Sequence, residues 1–327
     1  LIQGITLAGV FFDEVALMPE SFVNQATGRC SVQGSKYWFN CNPDGPYHWF
    51  KINWINKSTG YLGKEKTAKV RAEAAAKGLE AGLKNILYVH FTMDDNLSLS
   101  EEIKARYRSM YTGVFFKRYI LGLWAMAEGI IYDMFDADKH VQKITDFFRC
   151  LKDGGRYVSC DYGTQNATVF LLWNKGNNGK WYCVREYYYS GRAKGKQKTD
   201  GEYADDFEKW LDGVPIRAVI VDPAAASFIA ELRKRGYRVL KADNDVEDGI
   251  REVASMLNMG LLVFCDTCIN TIMEFGSYIW DEKAAQQGED RPVKENDHAM
   301  DAVRYFVYTI LSKRTGRVKN KAKYGFD

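Results

Sequence analysis

Between residues 157 and 190 the chain passes through three apolar, aromatic-rich segments, 157-YVSCDYG-163, 168-TVFLLWN-174 and 181-WYCVREYYY-189, with short turns between them such as 174-NKGNNGK-180. Connections this short oblige neighbouring strands to run antiparallel, so a three-stranded meander is expected. The pattern then changes to alternation. A helix over about 201–212 is followed by strand 217-RAVIVD-222, helix 227-SFIAELRKRG-236, strand 237-YRVLKAD-243 and a helix over about 246–259. A last helix, from about Asp297 to Lys313, carries Ala299, Met300, Val303, Phe306, Val307 and Ile310 on its apolar side. A meander joined to helix–strand alternation predicts an α/β fold: one mixed sheet flanked by helices. No repeat of fixed period interrupts it.

The first half of the chain reads differently. Residues 5-ITLAGVFF-12 form an apolar run ending in Asp13 and Glu14, the pattern of a strand buried on both faces with carboxylates at its C-terminal edge. A second short strand, 37-YWFNC-41, ends in the turn signal Asn42-Pro43-Asp44-Gly45-Pro46. The Ala-, Lys- and Glu-rich stretch from Gly63 to Leu83 suits an exposed helix, and Ser98 with Glu101 forms a capping-box signal for another. These readings divide the chain into a first domain over 1–125, a connection over 126–155 ending near Gly154-Gly155, a second domain over 156–312 and a basic tail over 313–327.

Composition sets the outer bounds. With 46% hydrophobic and 27% charged residues, 327 residues bury a sizeable core, and a disordered polymer is excluded. No run approaches the roughly 20 apolar residues of a membrane span. The opening apolar residues lack a basic leader and run straight into Asp13 and Glu14, so they do not read as a secretory signal. There is no initiator Met, and the chain is expected to begin inside a larger protein. A net charge of +3 is too balanced to mark a nucleic-acid partner, so any such surface has to be local. Seven cysteines, odd in number and mostly within strand-like runs, suit a reduced cytosolic protein, and Cys265 with Cys268 reads as ordinary buried residues.

Three acids stand where chemistry is expected. Asp161 ends the first strand of the meander, Asp222 ends the strand 217–222, and Asp301 lies in the last helix. Carboxylates at adjacent strand ends and on a facing helix supply the hard oxygen donors that magnesium-type ions need, as in a two-metal nuclease. His298 shares a helical face with Asp301 at i, i+3 and is a further candidate ligand. Asp297 is the natural N-cap of that helix. Asp301, one turn inside between Met300 and Val303, has no capping use and needs a cation. Neutralising it is expected to relieve repulsion with Asp161 and Asp222. Asp13 and Glu14 look like a Walker B pair, with Asn40 and Asn42 able to supply a neighbouring polar position. Arg192, Lys194, Lys196 and Lys198 follow three tyrosines in a glycine-containing loop suited to phosphate contacts.

Together the segments 4-GITLAGVFFDEVALMPESF-22, 37-YWFNCNPDGPYHWF-50, 94-DDNLSLSEEI-103, 113-GVFFKRYILGLW-124, 128-EGIIYDMF-135, 158-VSCDYG-163, 220-IVDPAAAS-227 and 296-NDHAMDAVRYF-306 resemble, in order, the large subunit of the tailed-bacteriophage terminases. The resemblance implies the C-terminal part of a P-loop ATPase domain followed by a ribonuclease H-like nuclease domain. It implies an endonuclease that cuts concatemeric viral DNA during packaging, with two Mg2+ or Mn2+ ions in the nuclease site and ATP with Mg2+ in the motor. The implied partners are double-stranded DNA, the portal protein and the terminase small subunit. The implied assembly is a ring during packaging and a monomer in isolation, in the cytoplasm of the bacterial host. By resemblance Asp13 matches the magnesium-binding Walker B acid, Glu14 the catalytic glutamate, and Asn40 to Asn42 the motif coupling hydrolysis to movement. Asp161, Asp222 and Asp301 match the nuclease metal ligands, with His298 matching a histidine beside the last. No G-x-x-x-x-G-K-[ST] occurs in these residues, so the ATPase half is expected to be incomplete as given. Two other readings stay open: a transposase- or resolvase-type ribonuclease H-like enzyme, and a non-enzymatic module that docks to a portal.

Overall fold

In the computed structural model, residues 4–62, 84–143, 145, 151, 155–163 and 166–312 are described. The exposed helix expected over 63–83 and the basic tail over 313–327 lie outside them. The chain divides into two compact units, one of Leu1–Gly129 with Trp280–Arg291 and the other of Ile130–Ile279 with Pro292–Asp327.

In the first unit, β1 (Gly9–Phe12) runs parallel to β2 (Lys36–Phe39), and β3 (Ser58–Leu62) runs parallel to β4 (Lys84–Val89). Phe12, Val15, Val23, Ala26, Phe50 and Trp54 form its core, with the Phe12 and Phe39 rings stacked at 5.0 Å. β1 is not buried on both faces as its apolar run suggested. Among the described residues it pairs with β2 alone, and Phe11 is 60% exposed. The expected capping box also shifts by two residues: the helix Glu101–Met110 is capped by Ser100, whose hydroxyl accepts from the Ile103 amide.

The segment Trp280–Arg291 comes from the second half of the sequence yet packs within the first unit. The Trp280 ring meets Phe115 edge-on at 6.3 Å, and Asp290 pairs with the buried Arg118. Arg118 also holds Asp44 at 2.9 Å and donates to the Ala125 carbonyl. The chain leaves and rejoins the second unit at neighbouring points, because the Val293 amide donates to the Ile279 carbonyl at 3.0 Å.

The second unit is built on seven strands: β5 (Val141–Gln142), β6 (Tyr157–Asp161), β7 (Ala167–Lys175), β8 (Trp181–Ser190), β9 (Ala218–Val221), β10 (Val239–Lys241) and β11 (Leu262–Cys265). Their order is β10-β9-β6-β7-β8-β11-β5. The meander β6-β7-β8 is antiparallel as expected, and β9, β10, β11 and β5 join it by parallel pairings. The connection expected over 126–155 does not stand apart. Ile130 bridges to Ile279, and β5 forms the edge of the sheet because its Val141 and Gln142 pair with β11.

Strand alternation decides what each face of the sheet carries. Val158, Cys160, Phe170, Leu172, Val219 and Val221 pack against Tyr203, Phe207 and Leu211 of the helix Asp200–Leu211 and against Phe228, Ile229 and Leu232 of the helix Ala226–Lys234. The opposite face, with Tyr157, Ser159 and Trp173, meets the last helix, His298–Phe306. There the Trp173 and Phe306 rings stack at 4.4 Å, and the Trp173 indole N–H donates to the Ser159 hydroxyl at 2.9 Å. Among the described residues no helix is long and apolar enough to cross a membrane.

Candidate active site

The same alternation that buries Val158, Cys160, Val219 and Val221 on one face directs Asp161 and Asp222 to the other, toward the last helix. β6 and β9 are parallel neighbours in register, Cys160 opposite Val221, so both acids emerge at the same edge of the sheet. Asp161, Asp222, Asp297, His298 and Asp301 line one cleft of about 680 Å3 together with Lys294, Arg304 and Tyr305.

Each acid already has a partner. His298 Nδ1 donates to Asp161 at 2.9 Å. The Tyr305 hydroxyl donates to Asp222 at 2.6 Å, and the Ala224 amide donates to its other oxygen at 2.7 Å. Arg304 donates to Asp301 at 2.8 Å, and the Lys294 ammonium lies 3.6 Å from Asp301 and 3.3 Å from Asp297. Asp301 therefore meets cations, as its position required, but they are the protein's own. Arg304 reaches it by lying against Gly249 in the helix Val246–Asn258. A Cβ there would stand 2.5 Å from the Arg304 Cγ, so only glycine lets the side chain pass.

Asp297 does not cap the last helix. It occupies the N-cap position, but its side chain accepts no amide of the first turn, and it is 5% exposed in the cleft. The cap comes from Glu274 in the helix Ile269–Ser277, whose carboxylate accepts the Ala299 and Met300 amides at 2.7 and 3.2 Å and the Tyr188 hydroxyl at 2.9 Å. That helix is capped in turn by Glu186 on β8, which accepts from the backbone and side chains of Asn270 and Thr271. Two remote glutamates thus fix the helix bearing His298 and Asp301 to the meander bearing Asp161. Their oxygens supply acceptors for amides that have no partner within the first turn of either helix.

The electrostatics follow from crowding acids in a partly dry cleft. Burial pushes the Asp161 carboxyl up to about 6 against the pull of its His298 hydrogen bond, with the Asp301 and Asp297 charges adding to the rise. Burial likewise pushes Glu274 up to about 7, despite its bonds to Tyr188 and the two amides. Burial opposes a charge on His298, yet the hydrogen bond and charge of Asp161, with Asp297 and Glu274 beyond, raise it above the usual imidazole range.

Four carboxylates and an imidazole are a hard donor set, which suits magnesium or manganese and not a thiolate-seeking metal. Among the described residues no three such side chains converge on one point as placed.

In the first unit, the parallel pairing of β1 and β2 brings the two motifs at their ends together. The Asn40 amide donates to Phe12 and the Val15 amide to Asn40, while the Asn40 side chain accepts the Glu14 amide at 2.8 Å. Asn42 approaches the Glu14 carboxylate at 3.4 Å through both its backbone and side-chain nitrogens. Glu14 sits at φ 52°, ψ 51°, a left-handed backbone that costs a non-glycine residue about 1–2 kcal/mol and is characteristic of functional turns. Asp13 is exposed beside it.

The basic run begins in a short helix. Arg192 and Lys194 lie in the short helix Gly191–Lys194. Lys196 approaches Glu202 at 3.8 Å, and Lys198 pairs with Asp206 while lying 4.2 Å over the Tyr189 ring. Lys196 keeps a side chain that is 70% exposed, whereas Lys198 is mostly covered.

Comparison with known proteins agrees with this architecture. Residues 1–138 match the family described as terminase large subunit, T4likevirus-type, N-terminal, and residues 160–309 match the terminase RNaseH-like domain. The chain is 56% identical to the large terminase of a thermophilic bacteriophage, solved in complex with ADP, with a TM-score of 0.81 over 94% of this chain and 70% of that one. The chain belongs to the terminase large-subunit family. A second relative, the terminase large subunit of Escherichia phage T5, is 25% identical over 316 residues, covering 92% of this chain. The chain spans 65% of that relative's length.

Within this terminase fold the cleft carries groups that the motifs alone did not reveal. Lys294, Arg304 and Tyr305 line it beside the acids, and Glu274 stands behind it as the cap of the last helix. Only Arg304 and Tyr305 had a signal, lying one turn beyond Asp301 within the 296-NDHAMDAVRYF-306 block.

Proposed function

We propose that the second unit is a metal-dependent DNA endonuclease, the cutting half of a terminase that cleaves concatemeric viral DNA as it is packaged. The observation that carries this reading is the single cleft lined by Asp161, Asp222, Asp297, His298 and Asp301. Asp161, Asp222 and Asp301, with His298 or Asp297, would hold one or two Mg2+ or Mn2+ ions. Such ions, when bound, supply a hydroxide nucleophile and stabilise the leaving oxygen of a phosphodiester. The chain's own groups prepare the site. His298 orients Asp161, Tyr305 orients Asp222, and Arg304 fixes Asp301 from the buried side.

In the first unit, Asp13, Glu14, Asn40 and Asn42 form the magnesium-binding and hydrolytic side of an ATP site. In the family's full-length proteins this side works with a phosphate-binding loop. The partners we assign are double-stranded DNA, the portal protein and the terminase small subunit. We assign a ring of copies during packaging, in the cytoplasm of the bacterial host, and a monomer in isolation.

A plasmid-cleavage assay with MnCl2 or MgCl2, against a chelator control, tests the nuclease reading. Nicking or linearisation with little sequence preference is expected, and its loss in an Asp161→Ala, Asp222→Ala double variant. Full metal-dependent cleavage by that variant would refute the assignment.

A further inference from the structure

Two protein cations face the acids of the cleft, and they differ in how firmly they are held. Arg304 is 2% exposed and also donates to the Asn244 and Asp245 carbonyls at 2.9 and 3.0 Å, so it is a fixed part of the wall. Lys294 enters from the loop before the last helix with a side chain 66% exposed, and its ammonium stands between Asp297 at 3.3 Å and Asp301 at 3.6 Å. Those two carboxylates are one helical turn apart, i and i+4, with the Asp301 amide bonded to the Asp297 carbonyl at 2.8 Å. Their spacing is therefore rigid, while the lysine between them is a compact charge on a flexible, solvated stem.

A divalent ion taken up by either carboxylate would stand within a few ångströms of this ammonium, and the two charges repel. An ordinary lysine ammonium carries its charge throughout the neutral range. It therefore has to leave when an ion enters. Asn296, two residues on, has a left-handed backbone at φ 51° and lines the same cleft as Lys294.

We propose that Lys294 is a resident counter-ion that competes with a divalent metal ion for Asp297 and Asp301. It is a positioning residue that holds the two acids in place before metal arrives, and metal uptake expels it. The proposal rests on the metal-dependent reading of the cleft given above.

The test is a calorimetric titration of MnCl2 into the metal-free 327-residue chain at fixed pH. Wild type, Lys294→Met and Lys294→Arg are compared, with melting curves of each in chelator. Removing a competing ion pair is expected to tighten Mn2+ binding by about three- to tenfold in Lys294→Met. The same variant should melt at a lower temperature in chelator, and Lys294→Arg should behave like wild type in both measurements. Unchanged or weaker Mn2+ affinity in Lys294→Met overturns the proposal, as does a melting temperature in chelator equal to or above that of wild type. Absence of Mn2+ binding to wild type at millimolar concentration is a different result: it overturns the metal reading of the cleft, and the competition with it.

Discussion

Arg304 donates to Asp301 across 2.8 Å inside the last helix, with the arginine 2% and the aspartate 8% exposed. The acid that the sequence marks as needing a metal is thus already half-neutralised by the fold. Asp301→Asn should therefore destabilise the metal-free chain by about 1.5–3 kcal/mol, the value of a hydrogen bond to a charged group, in place of the relief of repulsion expected from sequence. Melting curves in chelator check this, and an equal or higher melting temperature would show that repulsion among the acids outweighs the ion pair.

Glu274, and not Asp297, caps the last helix. Asp297→Ala should cost only about 0–1 kcal/mol, because its nearer ion pair is to the mostly exposed Lys294 and its contact with His298 is a distant 4.0 Å. It should weaken Mn2+ binding. A stability loss with unaltered Mn2+ affinity would return Asp297 to a capping role.

Glu274 carries a pH signature. Its carboxyl lies at about 7 in the fold against an ordinary 4.5, so between these values the folded chain retains a proton that the unfolded chain has lost. Stability from this group is full below about 4.5 and falls as pH rises toward 7. Glu274→Gln keeps an acceptor for the Ala299 amide and removes the titration. Melting temperature in chelator should then fall less steeply across this window than in wild type, and identical slopes would exclude Glu274 as the source.

Tyr305→Phe removes the hydroxyl that donates to Asp222 at 2.6 Å. The ring stays packed, so the loss should be confined to this bond, about 1.5–3 kcal/mol for a charged acceptor. The Tyr305→Phe step measured in wild type and again in an Asp222→Asn background, all four chains compared in denaturant melts, isolates it, since the charge-assisted part of the bond should be lost once the carboxylate is neutral.

Gly249→Ala offers a steric check on Arg304. Alanine in a helix interior usually stabilises by about 1 kcal/mol relative to glycine. Here the new Cβ meets the Arg304 Cγ and Cδ at 2.5 and 2.7 Å, and overpacking should reverse the sign by about 1–3 kcal/mol. A more stable variant would mean that Arg304 has another path to Asp301.

The meander was legible because β6, β7 and β8 are joined by turns too short for any other pairing, and Asp161 and Asp222 were legible as the polar ends of apolar strands. β11 and the helix Ile269–Ser277 escaped because 262-LVFC-265 is a four-residue apolar run with no alternation, between residues dominated by the Cys265–Cys268 spacing. The cap was misassigned for a related reason. Local patterns report partners three or four residues away, whereas Glu274 reaches Ala299 across 25 positions and Glu186 reaches Thr271 across 85. Burial of β1 was overestimated because an apolar run records capacity for burial and not what lies beside it.

The excursion Trp280–Arg291 has a consequence for how the protein can be taken apart. It begins after Ile279 and ends before Val293, two residues already joined by a backbone hydrogen bond, so topologically it is an insertion hung from a closed neck. Such an insertion can be trimmed to a tight turn without changing the register of any strand in the seven-stranded sheet. A nuclease unit excised at Ile130 with the excursion left in place would expose Trp280 and leave Asp290 without Arg118. The shortened graft, rather than the simple truncation, is therefore the piece expected to fold by itself.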